Sequence, residues 1–152
     1  MQSYAKLMDS IVTESACELC TGPGGRVLWQ SADCRVVRVD DPALPGFCRV
    51  IWGAHVREMS DLPRSERQRL MAVVFAVEAA VRELFEPDKI NLASFGNVVP
   101  HLHWHVIPRW RDDRHFPEPI WGRLQRERQP ERPPVDDATL TRAIVRNLPE
   151  GE

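Results

Sequence analysis

Apolar positions along the chain change period several times, and the changes mark the elements. CRVVRV (34–39) and FCRVIW (47–52) are short runs rich in β-branched and aromatic residues and read as strands. DDPALPG (40–46) lies between them, and its two prolines and glycine have the chemistry of a loop joining neighbouring strands. From Pro63 to Phe85 the period lengthens. Leu70, Val73, Val74, Val77, Val81 and Leu84 recur at spacings of three and four, while Arg64, Glu66, Arg67, Arg69, Glu78 and Arg82 take the other side. This predicts a helix whose broad apolar stripe packs flat against a sheet. Alternation returns in PDKINLASFGN, where Ile90, Leu92 and Ser94 alternate with Asn91 and Ala93 before a Gly96-Asn97 turn signal. VVPHLHWHVIP then forms another extended run bounded by prolines, so the pair reads as two adjacent strands joined by a tight turn.

The flanks are weaker. A helix is expected over Tyr4 to Ser15, and a weak amphipathic one in DDATLTRAIVRNL (136–148). Trp110, Arg111, Asp112, Asp113 and His115 read as a solvated, charged turn. Strands first, then one long helix, then strands again predicts an α+β domain with a mainly antiparallel sheet. Residues 1–121 carry the core-sized apolar blocks and form the expected domain; 122–152 reads as a proline- and arginine-rich extension with a short helix.

Composition narrows the class. The chain has 152 residues, 43% of them hydrophobic and 28% charged, with a formal net charge of -2, which predicts a soluble globular protein with neither nucleic acid nor membrane as partner. No run of about 18 apolar residues exists to span a bilayer, and the first residues lack a basic start and apolar core, so a cytoplasmic setting is expected. Lys6 and Lys89 are the only lysines; every other cation is arginine, the side chain that grips phosphate or carboxylate with two parallel hydrogen bonds.

The sharpest feature is HLHWHVIPR (101–109), with three of the five histidines at alternate positions. In a strand His101, His103 and His105 share one face, and Leu102, Trp104 and Val106 the other. An imidazole with a pKa of about 6.5 can attack an electrophile with one nitrogen while the other donates a hydrogen bond that fixes the tautomer. At phosphorus the product would be a covalent phosphoramidate, with neighbouring rings holding the non-bridging oxygens. A solvated polar edge or an adventitious metal patch is the plainer alternative.

HLHWHVI, together with PGFCRVIWGAHV (45–56), the long helix and GNVVP before the histidines, resembles the histidine triad (HIT) family, and within it the bacterial branch labelled as diadenosine polyphosphate hydrolases. The resemblance implies a HIT-like fold with a five-stranded, mainly antiparallel sheet, one long helix and smaller peripheral helices, assembled as a homodimer. It implies hydrolysis at the α-phosphorus of nucleotide phosphoramidates, esters or dinucleoside polyphosphates. His103 would be the nucleophile, His105 the helper on the phosphate and leaving-group side, and His101 the first triad member. Asn97 aligns with the family's phosphate-side Gln, while Val98 stands where many relatives have Ser or Thr. Asp40 is the candidate for the ribose hydroxyls, with Asp41 beside it. Asn91 is a further substrate-binding candidate, and Trp121 would reach the partner's nucleotide site. Two other readings stay open: a nucleotidyltransferase with an acceptor other than water, and a non-catalytic nucleotide-binding or zinc-stabilised interaction protein.

Cys17 and Cys20 form a C-x-x-C pair that lets two thiolates meet one zinc ion, or else an unmetallated thiol pair. The same resemblance supplies the other two ligands, His55 and His101, which would make the metal a structural clamp without an open position. Cys34 and Cys48 fall in expected strands and read as small buried apolar residues. No redox cofactor is expected.

Overall fold

β-Branched and aromatic residues pack on a pleated surface, and the fold is organised by a sheet built from them. The computed structural model describes residues 16–151; the helix expected over Tyr4 to Ser15 lies outside the described residues. A single helical turn, α1 (Glu18–Thr21), precedes β1 (Arg26–Gln30), β2 (Cys34–Arg38) and β3 (Cys48–Trp52). A 3-10 turn (Met59–Asp61) leads into the long helix α2 (Arg64–Phe85), followed by β4 (Lys89–Ala93), β5 (His103–Arg109) and α3 (Asp137–Asn147). The five strands are antiparallel in the order β1-β2-β3-β5-β4.

The faces of the sheet have different work. Val36, Cys48, Val50, Trp52 and Val106 turn to α2, where Leu70, Val73, Val74, Val77, Ala80 and Val81 are buried against them. Burial raises the Cys48 thiol to about 12, so it remains a protonated, inert core residue. Val37, Arg49, Ile51, His103, His105 and Ile107 belong to the opposite face, which among the described residues carries two small apolar clusters. One joins Cys17, Leu19, Val37 and Ile51, the other Leu44, Phe47 and Ile107.

Helix α2 begins one residue after the expected Pro63, which serves as its N-cap. Helix α3 is capped by Asp136, whose carboxylate accepts from the Thr139 amide at 2.7 Å, and it delivers Leu140, Ala143 and Ile144 into the main core. Strand β1 had no clear sequence signal: most of RVLWQ is exposed or half-buried, and its register with β2 shifts between Val27 and Trp29. The expected tight turn between β4 and β5 is instead a loop over 94–102. Here the Leu102 amide bonds the Val56 carbonyl and the Trp52 amide bonds the Leu102 carbonyl, which delays the strand until His103.

The turn after β5 also differs from its reading as solvated. Trp110 and Asp113 are buried, because Asp113 is the counterion of a buried arginine. Arg109 donates to both Asp113 oxygens at 2.8 and 3.1 Å, to Asn91 Oδ1 at 2.8 Å and to the Glu118 carbonyl at 2.7 Å. Asp113 accepts further bonds from the backbone amides of Trp110, His115 and Phe116. Burial opposes its charge, yet the bonds from Arg109, His115 and Phe116 outweigh burial and hold the carboxyl below its usual range. Removing one partner of such a pair leaves an uncompensated charge in the interior. Asp113→Asn is expected to lower unfolding stability at neutral pH by about 3–5 kcal/mol in urea titration, and a loss below about 1 kcal/mol would contradict this role.

Candidate active site and metal corner

The pairing of β3 with β5 sets Arg49 opposite His105 and Ile51 opposite His103, so the arginine and both imidazoles stand on one face. Both rings are buried, 4.9 Å apart between centroids and nearly perpendicular. His103 Nδ1 lies 2.5 Å from the His101 carbonyl oxygen. Only a protonated Nδ1 makes that bond, so the free lone pair of a neutral His103 is on Nε2. Burial is the main influence pulling its pKa below 6.5; the His101 carbonyl opposes this and the Arg49 charge adds to it. His105 sits among Phe47, Phe95 and Trp121, with ring centroids at 5.8, 6.2 and 5.1 Å. Burial first, then the charges of His103 and Arg49, lower it to about 3. Its Nδ1 is buried with no protein partner.

The two rings line a cavity of about 450 Å³ together with Arg49, Phe95, Asn97, Val98 and Trp121. A second cavity of about 380 Å³ adjoins it, sharing Arg49 and Trp121, and is lined by Leu44, Phe47 and Ile120 with the polar groups of Asp41, His115 and Gln129. Of the residues expected to bind substrate, Asn97 and Trp121 therefore stand with the histidines, Trp121 in its own chain's cavity, where a partner's site was expected. Asp40 borders a different groove, with Arg26, Arg38 and Asp137, and it is Asp41 that reaches the second cavity. Asn91 is engaged by Arg109 and does not line either cavity. Arg49 was not singled out from the sequence. Its signal was an arginine in mid-strand, alternating with Cys48 and Val50 of the core face.

His101 is fully buried and has left the common face for a corner built from α1 and the end of β3. Its Nδ1 lies 3.5 Å from Cys17 Sγ, 3.4 Å from Cys20 Sγ and 3.3 Å from His55 Nδ1, and Cys20 Sγ lies 3.2 Å from His55 Nδ1. One ring nitrogen offers one lone pair or one hydrogen, so hydrogen bonding does not account for three neighbours. A cation at their centre does. The four donors all lie within 4.8 Å of one another, and ligands in a tetrahedral zinc site at about 2.0–2.3 Å from the ion are separated by roughly 3.3–3.8 Å. His101 Nε2 donates to the Trp52 carbonyl at 2.6 Å, the outer bond that orients a ligating histidine and leaves Nδ1 free to bind. Burial keeps its pKa below 6.5, the Trp52 carbonyl opposing, which favours the neutral ligand form. Cys17, Cys20, His55 and His101 can thus hold a metal ion.

Comparison with known proteins places this architecture. Among curated relatives, the chain is 31% identical over 94 residues to a bis(5'-adenosyl)-triphosphatase of Dictyostelium discoideum, covering 59% of this chain and 63% of that one. It is 31% identical over 87 residues to an AP-4-A phosphorylase of Mycobacterium tuberculosis, covering 53% of this chain and 45% of that one. The match thus spans less than two thirds of either relative. Among solved structures, a histidine triad protein from Marinobacter aquaeolei VT8 superposes with a TM-score of 0.65 at 30% identity, covering 83% of this chain and 90% of its own. The HIT domain model matches residues 24–112, more than half of the chain, and the protein belongs to the HIT domain family.

Proposed function

We propose that the protein is a nucleotide hydrolase that cleaves at the α-phosphorus through a nucleotidyl-His103 intermediate. The observation that carries this reading is the 2.5 Å bond between His103 Nδ1 and the His101 carbonyl, which leaves the lone pair on Nε2 of a buried, neutral ring lining the cavity. Nε2 would form a bond to the α-phosphorus as the bond to the leaving group breaks, its electron pair departing with that group. Water would then attack the same phosphorus, returning the electron pair to His103 and releasing a nucleoside monophosphate. His105, neutral in the free protein, would act as a hydrogen-bond donor to a phosphate oxygen rather than as a charged acid. The second cavity suits a nucleoside: Phe47, Leu44 and Ile120 offer apolar contact and Asp41 a carboxylate for hydroxyls. The relative named as a phosphorylase supports a second reading, transfer of the nucleotidyl group to phosphate instead of water. Both share the first half-reaction.

The finer reading of the metal corner is a zinc clamp held by Cys17, Cys20, His55 and His101, with four protein ligands and no open position. Zinc bound there would stabilise the fold; the hydrolytic steps are carried by the cavity residues. A homodimer and a cytoplasmic setting belong to the same proposal. Among the described residues no helix is long and apolar enough to cross a membrane.

Three outcomes are expected. Mixed with an adenosine phosphoramidate or a diadenosine polyphosphate and quenched early, the protein should carry a nucleotidyl adduct on His103 by mass spectrometry. His103→Ala should show none and lose at least about 10³-fold in turnover. Binding without adduct or product would favour a non-enzymatic role, and phosphate-dependent product would favour the phosphorylase. Protein purified without a histidine tag should contain about one zinc per chain and lose thermal stability on chelation; a content well below one would refute the clamp. His105 has a folded pKa of about 3 against 6.5 unfolded, so its contribution to stability is complete above pH 6.5 and is lost as pH falls towards 3. His105→Asn should lose stability less steeply across that window in urea titrations at stepped pH; an unchanged slope would contradict it.

A further inference from the structure

Five arginines lie on the strands; Arg26 pairs with Asp137 at the sheet edge, and three others are engaged by the fold. Arg109 has Asp113, Asn91 and the Glu118 carbonyl. Arg35 gives its guanidinium to the carbonyls of Leu19, Gly22 and Pro23, tying α1 to β2. Arg38 bonds Asp137 and the Val135 carbonyl, tying α3 to the same strand. Each of these three guanidiniums is taken up by the fold.

Arg49 is built differently. Its side chain is half-buried, Nη1 donates to the Gly24 carbonyl at 3.1 Å, and Nε is buried with no protein partner. It makes no ion pair among the described residues. Glu18, the other charged residue on the triad cavity, is exposed; its charge favours the protonated guanidinium, but the two form no close ion pair. The guanidinium lies 5.9 Å from the centre of the Phe47 ring, a cation–π contact that supplies no hydrogen-bond acceptor and no anion. Desolvating a cation without a counterion is expensive, so a site that keeps one has an anion as its missing partner. Position identifies the anion. Arg49 stands opposite His105 in the β3–β5 register and is shared by the histidine cavity and the adjoining apolar one. A nucleotide with its nucleoside in the second cavity and its leaving group in the first must pass its reacting phosphate over this side chain.

We propose that Arg49 is a catalytic residue that binds the non-bridging oxygens of the attacked phosphate at the junction of the two cavities. This rests on the hydrolase reading for its reaction. It goes beyond that reading in assigning the phosphate's charge partner to β3, outside the triad strand. Two parallel N–H donors match a phosphate edge, and their value rises as charge builds on those oxygens in the transition state.

The test uses the full chain and two substrates that share an adenylyl group but differ in leaving group: an adenosine phosphoramidate and a diadenosine polyphosphate. Arg49→Gln is expected to lower kcat/KM by about 10²–10³-fold on both alike, and to slow formation of the His103 adduct equally in single turnover. Arg49→Lys, which keeps the charge but not the fork, should recover at least about tenfold of that loss. Should Arg49→Gln fail to fold, Arg49→Lys carries the comparison, with an expected loss of about tenfold on both substrates. Losses within about threefold of wild type, or confined to one substrate, would overturn the assignment. If the wild type turns over neither substrate, the hydrolase reading falls, and adenosine monophosphate binding alone judges Arg49. Binding weakened about tenfold or more in Arg49→Gln supports the phosphate contact, and equal binding refutes it.

Discussion

Strand β5 has to be a wall of the core and the floor of a cavity at once, and the period of two along an extended chain makes that possible. Val106 is fully buried against α2, and Trp104 packs partly against the same core with its indole N–H on Met59 sulfur at 3.4 Å. His103, His105 and Ile107 are thereby turned the other way. A shift of one residue in register would put imidazoles into the helix interface and the indole into the cavity, so the packing that stabilises the sheet also fixes which atoms face the cavity. The paired strand β3 obeys the same rule, with Cys48, Val50 and Trp52 in the core and Arg49 and Ile51 on the site face.

The triad is consequently one sequence motif but two structural units. His103 opens β5, whereas His101 precedes it and is drawn into the cysteine corner, where its Nε2 is tied to the Trp52 carbonyl. Its own carbonyl fixes the His103 tautomer. Through these bonds α1, the end of β3 and the residues before β5 converge on the His103 ring. A disturbance at the corner has a direct path to His103, because His101 holds both with different atoms.

Much of this was legible in the sequence where one physical rule acts alone. The period of α2 and the apolar runs of β2 and β3 announce themselves because burial on one face decides each position. The histidine alternation and the C-x-x-C spacing are local chemistry, and the resemblance to the histidine triad family supplied His55, which lies 35 residues beyond Cys20 and which no spacing rule pairs with it. Strand β1 was obscure because it is half exposed and its register slips. Trp110 and Asp113 were misjudged because hydropathy penalises a buried carboxylate without knowing that Arg109 waits for it. Asp40 and Asp41 are neighbours in sequence and share the groove beside Arg26 and Arg38, but only Asp41 also borders the second cavity, a distinction that depends on how the proline loop folds.

Unpaired polar atoms separate scaffold from site more cleanly than polarity does. Arg109, Asp113 and His101 are all buried, and each has its partners within the protein, as interior polar groups usually do. Five buried side-chain nitrogens among the described residues lack one. Arg132 Nε belongs to a guanidinium stacked 4.5 Å over the Trp110 ring, and His55 Nε2 is on a ring whose Nδ1 is committed to the corner. Three belong to residues of the two adjoining cavities: His105 Nδ1 and Arg49 Nε the triad cavity, and Arg114 Nε its neighbour. An unmet donor or acceptor lowers stability, and a fold that satisfies Arg109 five residues after Trp104 is plainly able to satisfy its arginines. Two of the five unmet atoms, His105 Nδ1 and Arg49 Nε, line the cavity of the His103 ring, and a phosphate with several acceptor oxygens is the kind of group that would relieve the arginine.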